Sequence, residues 1–108
     1  MRFAADRHVI LALKGHGTVV TDGERVYVNT TGNSGMAKGG SGDILTGLIA
    51  AFLAQGMQPL EATQLAVYLH GAAGDLAAAA LGEYAMLPTD LLDYLPLAIR
   101  KYSETTRT

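Results

Sequence analysis

The 108 residues predict an α/β domain in which short strands come first and helices follow. Three observations carry that prediction. Apolar and β-branched runs punctuated by turn residues fill positions 9–28. Apolar residues at helical spacing occupy most of the chain after Asp43. Between them lies Gly32-Asn33-Ser34-Gly35-Met36-Ala37-Lys38-Gly39-Gly40-Ser41-Gly42-Asp43, where glycine recurs at 32, 35, 39, 40 and 42.

Val9-Ile10-Leu11-Ala12-Leu13 is a continuous apolar run ending at Lys14-Gly15 and reads as a strand buried on both faces. Thr18-Val19-Val20-Thr21 and Arg25-Val26-Tyr27-Val28 flank Asp22-Gly23, a strong hairpin signal. Leu45, Leu48, Ile49, Phe52 and Leu53 then fall on one side of a helix, with Gly56 as its stop. Pro59 at a first helical position and Glu61 in the first turn open the next helix. Ala62, Leu65, Ala66, Leu69, Ala73, Leu76 and Ala80 form its long face. Gly71 and Gly74 each weaken that helix by about 1 kcal/mol relative to alanine, so they predict close packing against a neighbour. Gly82 can end it. Thr89 reads as the N-cap of a last helix with Asp90 in its first turn, and Pro96 predicts a break into two short pieces. The polar segment 103–108 reads as a frayed tail. No repeat or linker divides residues 1–108, which form a single domain with three or four helices.

Composition narrows the function classes. Hydrophobic residues make up 49% and charged residues 17%, a globular balance. Net charge is −2 with no basic stripe, which argues against nucleic-acid binding. The absence of cysteine excludes disulfides and thiolate metal sites and is compatible with a reducing compartment. The apolar runs are too short to span a bilayer, and Met1-Arg2-Phe3-Ala4-Ala5-Asp6 has no signal-peptide core. A soluble cytoplasmic protein is the expectation. His8, His16 and His70 lack metal-ligand spacing, and no metal ligand is assigned. His70 lies near the apolar face of its helix and reads as a core or interface residue.

The glycine-rich run carries the chemistry. Glycines opening a helix aim bare backbone N–H groups at an anion, and Asp43 in the first turn would sit beside it. That suggests a phosphate-containing ligand cradled by Gly39, Gly40, Ser41 and Gly42, with a carboxylate placed to act on it or its neighbour. The competing reading is a tight strand-to-helix turn in which Asp43 only caps the helix. A turn needs one or two glycines, and each further one costs backbone entropy, so a close ligand explains the excess better. Lys14-Gly15-His16-Gly17-Thr18 lies beyond the end of the first strand, where ligands bind in α/β sheets. It could meet a phosphate, or it could be a glycine-supported turn with an exposed lysine. Spacing alone leaves both open.

Lys14-Gly15-His16-Gly17-Thr18, Gly32-Asn33-Ser34-Gly35-Met36-Ala37 and Gly39-Gly40-Ser41-Gly42-Asp43, in that order, resemble the C-terminal half of the ADP- or ATP-dependent NAD(P)H-hydrate dehydratases. These belong to the ribokinase-like superfamily, whose domain has three layers. Tyr68-Leu69-His70-Gly71-Ala72-Ala73-Gly74-Asp75 and Thr89-Asp90-Leu91 agree as well, and the similarity runs over residues 9–101. The resemblance implies a repair activity that uses ADP or ATP, accompanied by Mg²⁺, to dehydrate hydrated NADH or NADPH. It implies that residues 14–18 and Gly42 contact the nucleotide. Asn33 and Asp43 would lie at the hydrate, Asp43 as general base on its hydroxyl. The Gly39–Gly42 amides would stabilise the transferring phosphoryl group. Three departures stand out. Ser34 replaces a usual proline, Lys38 replaces a usual small hydroxyl residue, and the N-terminal half of the domain is missing. The last predicts a sticky sheet edge, covered by other copies or by the missing half. A small-molecule kinase of the same superfamily and a non-catalytic nucleotide-binding fragment are the alternatives.

Overall fold

The computed structural model describes residues 10–12, 19–21, 26–32, 41–82 and 84–106. Strands β1 (Ile10–Ala12), β2 (Val19–Thr21) and β3 (Val26–Val28) precede helices α1 (Ser41–Ala54), α2 (Pro59–Leu81) and α3 (Pro88–Thr106). The sheet runs β1-β2-β3 with both pairs antiparallel. Val19, Val20 and Thr21 face Val28, Tyr27 and Val26, the register expected of strands flanking Asp22-Gly23. That turn itself, with Val9 and Leu13, falls outside the described residues.

Alternation gives the sheet two unlike faces. Val20 is buried and joins Leu45, Leu60, Ala66 and Val67, with Tyr27, Leu48, Ile49 and Phe52 packed around them. Val26 and Val28 point the other way and are 68% and 57% exposed. The described helices pack against the Val20 face of the sheet. A second cluster, Ala73, Ala77, Met86, Leu91 and Ala98, joins the far half of α2 to α3. Small residues along α2 let α3 approach closely, and those two helices form the most extensive contact in the fold.

The helix ends follow their sequence cues, with two corrections. Gly56 and Gly82 adopt positive φ, 95° and 86°, which favours glycine after a helix. At the start of α2, Thr63 is buried but its hydroxyl donates to the Pro59 carbonyl at 2.8 Å. Helix α3 starts at Pro88, one residue before the expected Thr89 cap. Asp90 reaches back and accepts from the Leu87 N–H at 2.6 Å, so the third helical residue does the capping that Thr89 was expected to do. Pro96 does not split the helix. It sits inside a continuous α3 on an exposed stretch, where water can bond the carbonyl that loses its helical donor. The three helices are therefore unbroken, and α3 continues through Ser103 to Thr106.

Candidate functional site

Helix α1 begins at Ser41, directly after the glycine run. The first-turn amides of a helix can face an acceptor placed beyond its end. Asp43 stands in that turn and is exposed to solvent. Gly42 is exposed as well, and a Cβ built on it meets nothing within 4 Å. Its φ is not in the left-handed region. Neither packing within the described chain nor backbone strain therefore requires glycine here, although alanine would favour the helix. Among the site residues expected from the sequence, Ser41, Gly42 and Asp43 come together on one helical turn. Lys14, Gly15, His16, Gly17, Thr18, Asn33, Gly39 and Gly40 lie outside the described residues.

The segment leading into the glycine run is held by a network that spacing did not single out. Asn29 is buried and bonded on both sides of its amide. Its Oδ1 accepts from the Tyr27 hydroxyl at 2.9 Å. Its Nδ2 donates to Thr31 Oγ1 at 2.9 Å and to the Thr31 carbonyl at 3.0 Å. A carbonyl can only accept, which fixes the orientation of this amide. Thr31 Oγ1 in turn donates to the Tyr68 carbonyl of α2 at 2.9 Å. The Gly32 N–H donates to Asp75 Oδ2 at 3.0 Å. Burial, with a smaller contribution from Tyr68, holds the Tyr27 hydroxyl above its usual pKa of 10.0. The sequence did carry one signal of this network: Gly71. A Cβ there would fall on Thr31, 2.7 Å from its carbonyl carbon, so this helical glycine is the close neighbour that its position predicted.

A cleft of about 450 Å³ opens beside the network, between α2 and α3, with Tyr68, Asp75, Lys101 and Tyr102 on its walls. Asp43 is not among its lining residues, so it is separate from the turn at the start of α1. His70 is half-buried on α2, as its place near the apolar face suggested. Among the described residues, no three His, Asp or Glu side chains group into a metal cage. No described helix is long and apolar enough to cross a membrane.

Comparison with known proteins gives the family. Residues 2–97 match the sequence model of a family described as NAD(P)H-hydrate dehydratase. A bifunctional NAD(P)H-hydrate repair enzyme, Nnr, of Moorella thermoacetica is 50% identical over 109 residues, covering 99% of this chain and 20% of that protein. An ADP-dependent (S)-NAD(P)H-hydrate dehydratase of Enterococcus faecalis is 43% identical, covering 87% of this chain and 32% of that protein. The ADP/ATP-dependent NAD(P)H-hydrate dehydratase of Bacillus subtilis, co-crystallised with ATP and Mg²⁺, superposes with a TM-score of 0.81 at 38% identity. That match covers 89% of this chain and 35% of the Bacillus chain. The chain thus spans between a fifth and about a third of the length of these relatives.

Proposed function

The chain belongs to the NAD(P)H-hydrate dehydratase family, and from that premise we propose that it is the nucleotide-binding part of a repair enzyme. The enzyme would use ADP or ATP to dehydrate the hydrated form of NADH or NADPH. The observation that carries this reading is the first turn of α1, where an exposed carboxylate follows a glycine that no packing within the described chain requires.

In this reading, residues 14–18 and the Gly39–Gly42 amides hold the polyphosphate, and Asn33 and Asp43 face the hydrate. Asp43 takes the proton from the hydrate hydroxyl as that oxygen bonds to the terminal phosphorus. The bond from phosphorus to the leaving nucleotide oxygen breaks in the same displacement. Phosphate then leaves carbon, the neighbouring carbon gives up a proton, and the nicotinamide double bond is restored. Mg²⁺ keeps several waters and binds largely through substrate phosphates, so it would enter with the nucleotide. Bound with the nucleotide, the ion would neutralise phosphate charge. The valine-bearing face of the sheet suits a second copy or the remainder of a dehydratase domain. A cytoplasmic setting, where nicotinamide cofactors and adenine nucleotides meet, fits the cysteine-free composition.

The test is recovery of NADH absorbance from its hydrate with ADP or ATP, supplying the remainder of the domain where turnover needs it. Restored absorbance that Asp43→Ala abolishes is the expected result. A stable phosphorylated product would point to a kinase instead. ADP binding by calorimetry with no turnover under any condition would leave a non-catalytic binding module.

A further inference from the structure

We propose that Asp75 is a positioning residue for the glycine-rich loop: together with Gly71, Asn29 and Thr31 it locks the backbone at Gly32 against α2. Gly32 is where the chain leaves the sheet for the loop, and it does so at φ 108°, a conformation that favours glycine. A left-handed residue redirects everything after it, so small errors at Gly32 become large displacements at the phosphate cradle. The segment is held at successive points along one face of α2. Asn29 Nδ2 lies 3.5 Å from the Val67 carbonyl, Thr31 Oγ1 bonds the Tyr68 carbonyl, and the Gly32 N–H bonds Asp75.

The geometry of the two elements makes this possible. Three extended residues span about 10 Å, and eight residues of helix rise about 12 Å. The Asp75 side chain leans toward the N-terminus of α2 and closes the difference. Gly71, one turn before Asp75, removes the Cβ that would otherwise hold Thr31 away. Among these contacts the one to Asp75 is charge-assisted, and it falls on Gly32, the first residue of the glycine-rich run. The bonds named above run between residues 29–32 and α2 rather than to Asp43, so Asp75 would act through the loop.

The proposal rests on the reading of the loop as a phosphate cradle, and two measurements on the 108-residue chain keep the two ideas separate. The first is hydrogen exchange of the Gly32 amide, with the Ala66 and Val67 amides as internal reference. The second is ADP affinity by calorimetry. Asp75→Ala and Gly71→Ala should each accelerate Gly32 exchange and weaken ADP binding by about tenfold or more, leaving the reference amides unchanged. Asp75→Asn keeps an acceptor oxygen and should restore both. Unchanged Gly32 exchange in Asp75→Ala overturns the clamp. Accelerated exchange with ADP affinity held within twofold overturns its positioning role. Loss of affinity in Asp75→Asn with Gly32 still protected would mean that Asp75 meets the ligand directly, which also overturns it. A wild-type chain that protects Gly32 but binds no ADP overturns the cradle reading and the positioning role, while showing the clamp itself intact.

Discussion

At the scale of single residues, the first turn of α1 separates stability from function. Asp43 is exposed, so removing its side chain disturbs no packing. Asp43→Ala should change folding stability by no more than about 0.5 kcal/mol in urea titration, while turnover in the active assembly falls by about 10²–10⁴. Gly42→Ala should move the two quantities in opposite directions. The new methyl meets nothing within 4 Å, so the helix gains up to about 1 kcal/mol. In the proposed reading the same methyl would meet the incoming phosphate, and ADP affinity should drop. A glycine kept for packing would lose both together. Tyr27 gives a third outcome at this scale. Its pKa is raised in the folded chain by burial first and Tyr68 second, so the unfolded chain loses its proton at lower pH. The stability it contributes is complete below pH 10.0 and is lost as pH climbs toward the folded value. Tyr27→Phe should cost about 1 kcal/mol at neutral pH through the lost bond to Asn29. It should also flatten the alkaline decline, both readable from denaturant melts across pH.

At the scale of elements, α3 shows where a local rule yields to context. An interior proline costs a helix about 3 kcal/mol relative to alanine, yet Pro96 lies within a continuous Pro88–Thr106 helix. Leu91, Tyr94, Leu95 and Ala98 pack against α2 on both sides of it, and that tertiary contact holds the two halves in line. Pro96 is exposed, so Pro96→Ala should raise stability by about 1–3 kcal/mol without loss of packing, measured as a higher urea midpoint. The same contrast explains what could be read from the chain alone. Asp22-Gly23, Gly56, Pro59 and Gly82 mark elements through backbone preferences that act locally, so the hairpin and the ends of α1 and α2 were legible. The Thr89 cap was misread because Pro88, a favoured first helical residue, stands just before it and Asp90 can cap from within. The excess of glycine leading up to Gly42 and Asp43 is what motivates the proposed phosphate cradle. Asn29, Thr31 and Asp75 were not legible, because their partners lie about forty residues away in sequence and no spacing rule reaches that far. Gly71 alone registered that contact, as an otherwise unfavourable residue in mid-helix.

At the scale of the whole molecule, the chain has the surfaces of a body meant to be enclosed. The outer face of the sheet presents Val26 and Val28 to water, while its inner face is packed against helices. Helix α1 is apolar nearly all round, and Gly47, Ala50, Ala51, Leu53 and Ala54 remain exposed. A helix of that composition belongs in the interior of a larger fold. The relatives supply that larger body, since the chain covers only 20% of the Moorella protein and 35% of the Bacillus one. Burying the remaining surface of each valine, 68% and 57% exposed, would contribute about 1 kcal/mol, and a few such side chains together favour association. The isolated chain should therefore run above its monomer mass in light scattering at micromolar concentration. Addition of the remainder of a dehydratase domain should convert it to a one-to-one complex. Val26→Lys with Val28→Lys should weaken both forms of association, since lysines on this face would have to be desolvated, and should leave the helix content by circular dichroism unchanged. A chain that stays monomeric at high concentration and ignores the complementing segment would show that these faces tolerate water, and that the chain stands as a unit by itself.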